Sequence, residues 1–456
     1  MELTLKQIAA WTQGRVAPEF ADITVTGVTT DSRDAREGEL FVPLPGETFD
    51  GHDYISSAMS RCVATLSERP LDPSVPAVYV SDTMRALGDI GRGYRKSIPM
   101  TVVGITGSVG KTTTKEMTGM VLSAKYRTAK TDKNFNNNIG LPRSILKIEP
   151  DCEVAVLEMG MNHFGEMAYL TSIALPDVVV ITNIGTAHIE YLGSREGILQ
   201  AKLEITEGMR KGGTLILNGD EPLLWNLKGT LPYKMVYFGI ENPDCDLRAV
   251  EIEAQGDCTS FHVEGLRNDF EVFLPAPGRH NVYNALAALT VGTIFEVEPG
   301  KMQTAVAEFQ NTGNRQRIFE KSGFTIIDDS YNAGPESMEA ALKVLADHAC
   351  KGRRIAVLGD MLELGNCSMA EHYKVGRLAA ASADLLFTYG SNAERMVTGA
   401  ITGGMPANCV YHFDSHEQMA RMLRNRARAG DLLLFKGSHG MRMDHVLELF
   451  LNPEQK

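Results

Sequence analysis

The sequence predicts an α/β protein of three domains: a small mixed α/β domain, a central phosphate-binding domain on a mostly parallel sheet, and a Rossmann-like carboxyl domain. Three observations carry that prediction. A glycine-rich turn, Gly104-Ile-Thr-Gly-Ser-Val-Gly-Lys-Thr-Thr-Thr114, stands between an apolar run at 100–103 and a helical pattern at 115–124. Apolar strand candidates then alternate with helical stretches, once after this turn and again from residue 311 onward, as in open parallel sheets covered by helices. Finally, 456 residues at 43% hydrophobic composition suit several cores better than one.

The elements follow in chain order. Residues 1–82 hold short apolar segments at 23–28 and 39–42, separated by turns at Gly38, Pro45-Gly46 and Asp50-Gly51, which predict the small mixed domain. Residues 83–310 place strand candidates at 154–157, 178–181 and 214–217 after the glycine-rich turn. Residues 311–456 repeat the pattern, with strands expected at 324–327, 354–358, 384–389 and 431–435 and helices at 336–347 and 368–380. No low-complexity tract or internal repeat interrupts these patterns, so the boundaries rest on changes of periodicity.

Composition excludes several function classes. With 57 acidic and 45 basic residues the formal charge is −12, so no broad basic surface is available for nucleic acid. Residues 1–10 are an amphipathic mixture, and no apolar run reaches the roughly 18 residues of a membrane span; a cytoplasmic enzyme without stable membrane insertion is expected. The seven cysteines are scattered and form no CxxC pair, so they read as reduced structural thiols.

The chemistry-bearing residues cluster after strand candidates. Gly107 and Gly110 allow backbone N–H groups around Ser108 and Thr113 to converge on phosphate oxygens, Lys111 reaches the terminal phosphates, and the Thr112 hydroxyl faces Mg²⁺. The turn departs from the strict pattern, with Ile105 five positions before Gly110 and glycine at 104 and 107. These features predict an ATP user. Glu158, at the end of the 154–157 strand, is placed to bind the same metal; His188, after the 178–181 strand, reads as a metal ligand or a polar loop residue. Lys202 alone reads as a surface-helix residue, since an ammonium repels Mg²⁺. Gly278 to Asn284 reads as a turn before an apolar helix at 285–291, with Asn281 contacting nucleotide and Asn284 capping the backbone. Arg315 offsets phosphate charge, Asp328 suits ribose hydroxyls, and Tyr331 with Asn332 forms a polar-aromatic wall. GDMLELG at 359–365 and Lys436-Gly-Ser-His439 follow two further strands, gathering reactive side chains at one sheet edge.

These motifs together resemble the Mur ligase family. They are GITGSVGKTTT at 104–114, EMG at 158–160, TNIGTAHIEYLGS at 182–194, AKLEI at 201–205, GRHNVYNALAA at 278–288, DDSYNAGPESM at 328–338 and KGSHGMRMD at 436–444. KTDKNFNNNIGLP at 130–142, with Asn137 and Asn138, and GDMLELG resemble the branch that adds D-alanyl-D-alanine to a UDP-N-acetylmuramoyl-tripeptide; a DNPR-like motif of the diaminopimelate-adding branch is missing. The resemblance implies an acyl-phosphate mechanism using ATP and Mg²⁺. It implies that Lys111, Thr112, Glu158 and His188 serve phosphate and metal, and that Lys202 carries a carbamate that binds a second Mg²⁺. Asn281, Arg315, Asp328, Tyr331 and Asn332 would bind nucleotide, with Arg315 also assisting phosphoryl transfer. Lys436, Ser438 and His439 would lie in the acceptor-side loop, and Ser32, Arg33, Asp50, Gly51 and His52 would hold the UDP substrate. A monomer is expected. The third residue of the tripeptide stays open between meso-diaminopimelate and lysine. Ala333-Gly334-Pro335 departs from the family's Asn-Pro at that turn. A folylpolyglutamate-type ligase and a P-loop ATPase are the alternatives.

Overall fold

The structure, a computed structural model, describes residues 1–46, 48–311 and 313–452. Three main sheets follow one another along the chain, of five, nine and six strands, with a two-stranded ribbon beside the first. The expected segment at 23–28 is two strands, Thr24–Val25 and Gly27–Thr29, which join different sheets.

In the central sheet, Thr128–Lys130, Val154–Glu158, Thr101–Thr106, Val178–Ile181, Thr214–Asn218, Lys234–Gly239 and Leu247–Gln255 lie side by side, all parallel. Val154–Glu158 and Val178–Ile181 are buried throughout, as their unbroken apolar character requires when helices cover both faces. Cys258–Gly265 and Asn268–Leu274 extend the sheet antiparallel. Asn268–Leu274 buries every second residue, the signature of a strand with one solvated face. Because Thr101–Thr106 lies between Val154–Glu158 and Val178–Ile181, three neighbouring carboxyl ends open into one crevice, where open α/β sheets bind ligands. The helix after the glycine-rich turn spans Lys111–Ser123, and residues 279–284 are already helical within Arg279–Ile294, so the segment read as a turn is a helical start.

The carboxyl sheet runs Arg317–Lys321, Phe324–Asp329, Leu432–Lys436, Arg354–Gly359, Leu385–Tyr389, Val410–Phe413, parallel apart from the first strand. Leu432–Lys436 is fully buried between Phe324–Asp329 and Arg354–Gly359. Its two faces feed separate apolar clusters, Leu432 and Leu434 on one and Leu433 and Phe435 on the other, following the period of two. The loops DDSYN, KGSH and GDMLELG therefore leave three adjacent strand ends.

Candidate active site

The phosphate loop is defined by backbone conformation. Gly107 has φ 151° and Gly110 φ 83°. A Cβ at 107 would lie 1.9 Å from Thr182 Oγ1, and one at 110 would lie 2.4 Å from Asn284 Oδ1, so both positions require glycine. The loop is held by its neighbour strand end: the Ser108 and Val109 N–H groups donate to Asn183 Oδ1 at 3.1 and 3.0 Å. Gly185 N–H donates to Ser108 Oγ at 2.9 Å, and Thr182 Oγ1 donates to the Val109 carbonyl at 2.6 Å. Behind the loop, the first turn of Lys111–Ser123 carries no acidic residue and presents unpaired N–H groups suited to an anion. Lys111 Nζ donates to the Gly107 and Ser108 carbonyls at 2.8 and 3.3 Å. Burial pulls its ammonium below the usual lysine range, with Glu158 opposing and Arg315 adding to the shift.

Beside the loop, Thr112 Oγ1 donates to Glu158 Oε2 at 2.9 Å while Asn136 Nδ2 donates to Oε1 at 2.8 Å. One carboxylate and one hydroxyl suit Mg²⁺, which keeps several waters and takes its other oxygens from phosphate. No group of three or more His, Cys, Asp or Glu forms a closed cation site among the described residues. Lys202 is 2% exposed. Burial, reinforced by the Lys111 charge, drives its ammonium well below the ordinary lysine value, favouring the neutral amine. His188 adopts a left-handed backbone, φ 65°, and its Nδ1 lies 2.5 Å from Glu363 Oε2. That hydrogen bond is the main reason the Glu363 carboxyl sits below the usual range, so the carboxylate accepts and Nδ1 donates.

The carboxyl domain supplies the opposite wall. The Arg315 guanidinium stacks 3.8 Å from the Tyr331 ring centre, and Tyr331 lies 5.7 Å from the His439 ring. Lys436 Nζ donates to Asp329 Oδ2 at 2.6 Å and to the Asn332 carbonyl at 3.0 Å. Ser438 Oγ donates to the Ala333 carbonyl at 3.2 Å and accepts from Leu362 N–H at 2.9 Å. Asn281 Nδ2 donates to Gln316 Oε1 at 2.7 Å, linking the central domain to the segment after Arg315. Asn284 does not cap the backbone: its Oδ1 accepts from Thr114 Oγ1 at 3.1 Å.

A cavity of about 1090 Å³ gathers most of these groups. Ser108, Gly110, Lys111, Thr112, Thr113, Asn137, Asn138, Glu158, His188, Asn281, Arg315, Tyr331, Asn332, Lys436, Ser438 and His439 all line it. Asn137 Oδ1 also accepts at 2.8 Å from the N–H of Gly140, the first residue of the helix Gly140–Leu146. Gly107 and Lys202 are outside the lining, as is Asp328, whose Oδ1 accepts from the Ser330 hydroxyl at 2.5 Å. Asp328's neighbour Asp329 faces the cavity instead. Ser32, Arg33, Asp50, Gly51 and His52 are not among the residues that line it. Arg33, with its side chain 87% exposed, pairs with Asp31 at 2.6 Å and draws that carboxyl down to about 2. Both ring nitrogens of His52 are engaged internally, Nδ1 with Asp50 at 2.7 Å and Nε2 with Glu68 N–H at 3.2 Å.

Sequence reasoning passed over Asn136, Asn183, Asp329 and Glu363. Asn136 adjoins the two asparagines singled out, and Asn183 sits inside a quoted motif, so proximity was the available signal. Glu363 meets His188 across 175 residues, which no local pattern reveals.

A phosphate loop and a strand-end carboxylate facing a second α/β domain across one cavity define a protein that handles a nucleoside polyphosphate. The sequence matches the Mur ligase middle domain over 105–292, the Mur ligase glutamate ligase domain over 314–439 and the Mur ligase family catalytic domain over 24–66. The chain belongs to the Mur ligase family. It is 39% identical, over 98% of its length and 97% of the relative's, to the UDP-N-acetylmuramoyl-tripeptide--D-alanyl-D-alanine ligase of Bacillus subtilis. Among solved structures, MurF from Acinetobacter baumannii superposes with a TM-score of 0.91 at 31% identity, covering 99% of both chains. MurF ligase from Thermotoga maritima in complex with ADP gives 0.82 at 31% identity, covering 93% of this chain and 96% of that one.

Proposed function

We propose that this protein joins D-alanyl-D-alanine to UDP-N-acetylmuramoyl-tripeptide at the expense of ATP, forming the pentapeptide precursor of peptidoglycan. The observation that carries this reading is likeness along the whole chain to ligases of that name. A carboxylate oxygen of the tripeptide attacks the γ-phosphorus of ATP, the bond to the bridging oxygen breaks, and ADP leaves. The dipeptide amine then attacks the acyl carbon, loses a proton, and expels phosphate to leave an amide.

Thr112 and Glu158 would hold Mg²⁺, with His188 and a carbamate on Lys202 serving a second ion. Bound magnesium would neutralise charge building on the phosphate oxygens. Lys111 and the loop N–H groups stabilise the same charge from the protein side, where low dielectric strengthens them. Arg315, fixed on Tyr331, approaches from the carboxyl domain, so phosphoryl transfer needs both domains together. Asn281, Tyr331 and Asn332 serve the nucleotide; Lys436, Ser438 and His439 serve the acceptor side, with Asn137 and Asn138 at the opposite wall. Ser32, Arg33, Asp50, Gly51 and His52 serve the UDP moiety.

The reading places the reaction in the cytoplasm, where ATP is available; no described helix is long and apolar enough to cross a membrane. The deciding experiment supplies ATP, tripeptide and dipeptide together and weighs the product: addition of one dipeptide supports the reading. Efficient addition of a single amino acid, or ATP turnover independent of both acceptors, would sink it.

A further inference from the structure

Glu158 is fixed from outside the phosphate loop by the segment 131–136. Its N–H donates to Thr131 Oγ1 at 3.0 Å, Gly160 N–H donates to the Asn136 carbonyl at 2.9 Å, and Asn136 Nδ2 donates to Glu158 Oε1 at 2.8 Å. The segment is itself tied down by Lys115, one helical turn after Lys111 and wholly buried. Its ammonium donates to the Thr131 and Lys133 carbonyls at 2.7 and 3.1 Å and lies 2.9 Å from Glu116 Oε1. All three ammonium donors are thereby engaged. Lys115 is outside the cavity lining, so it has no access to a substrate there.

We infer that Asn136 and Lys115 are positioning residues for the metal-binding carboxylate: Asn136 fixes the rotation of Glu158, and Lys115 holds the segment that carries Asn136. The inference rests on the reading of Glu158 as the magnesium carboxylate. Thr112 and Asn136 each occupy one lone-pair direction on a different Glu158 oxygen. The remaining lone pairs keep one orientation, and the carboxylate meets the ion without first losing rotamer freedom. Outer hydrogen bonds of this kind tune metal affinity about 10- to 100-fold.

The test is ADP binding to the full chain by calorimetry, in magnesium and in EDTA, for wild type, Asn136→Ala, Lys115→Met and Glu158→Gln. Asn136→Ala is expected to lose about 10-fold in ADP affinity with magnesium and to match wild type in EDTA. Lys115→Met should show the same split, with faster amide exchange over 131–136. Where Lys115→Met does not fold, exchange in Lys115→Arg decides: faster exchange supports the clamp, and native exchange overturns it. If Glu158→Gln loses the magnesium-dependent gain and Asn136→Ala keeps it, the positioning role is overturned. Equal weakening with and without magnesium in Asn136→Ala overturns it too. If Glu158→Gln keeps the gain, the metal reading beneath it fails.

Discussion

A buried lysine without an acidic partner among the described residues is costly as an ammonium, and Lys202 at 2% exposure is in that position. Burial and Lys111 lower its folded value below the ordinary 10.5. Unmodified Lys202 therefore binds fewer protons folded than unfolded between those two values, and its contribution to stability rises with pH across that window. The neutral amine is also the form that captures CO₂. Ligation should consequently fall as acidification protonates Lys202, and added bicarbonate at fixed pH should restore it after CO₂-depleted preparation. Lys202→Ala should lose activity and show no bicarbonate response; full activity in that variant would contradict the carbamate. Lys111→Ala and Glu158→Gln should each lower kcat about 100-fold or more while circular dichroism stays native, since neither change opens an apolar cavity. Near-normal turnover by both would remove them from the mechanism. At this scale the sequence was legible where a motif fixes a residue, as at Lys111 and Thr112. It was ambiguous at the Asp328-Asp329 pair: neighbours on a strand face opposite ways, and pairing of Asp329 with Lys436 across the sheet decides which one meets the cavity.

Among elements, the contacts between the central and carboxyl sheets are the least expected feature. Glu363 accepts from His188, and Glu336 accepts from Thr186 N–H and Oγ1 at 2.8 and 3.0 Å. The carboxyl domain thus grips the segment that follows Val178–Ile181. Glu363→Gln removes the charge but keeps the shape, and should raise the apparent KM for ATP severalfold, about what the loss of one charge-assisted bond costs; unchanged kinetics would show that the contact is incidental. Gly107→Ala should cost more, because its Cβ meets Thr182 Oγ1 in the strand end that supports the loop. Native ATP affinity in that variant would refute the packing argument. The strands themselves were readable: 178–181 matches its element, and 354–358 and 431–435 fall within a residue of theirs, because doubly covered parallel strands are unbroken apolar runs. The antiparallel extension at Cys258–Gly265 and Asn268–Leu274 went unread. Half of its residues face solvent, and charged and polar residues interrupt the apolar signal.

For the whole molecule, three sheets in chain order place the phosphate loop and the Arg315–Tyr331 stack on opposite walls of one cavity. Repeated βα alternation made that architecture legible. The distance between walls was not, because it depends on side chains that meet across domains. Such an arrangement suits the molecule to bringing a carboxylate, a γ-phosphate and an amine together in sequence. The most direct measurement labels the tripeptide's terminal carboxylate with oxygen-18 and supplies ATP and D-alanyl-D-alanine. Pentapeptide product is expected, with inorganic phosphate carrying one labelled oxygen, transferred when the acyl phosphate breaks. Unlabelled phosphate accompanying the peptide, or labelled substrate returned without any dipeptide attached, would contradict it.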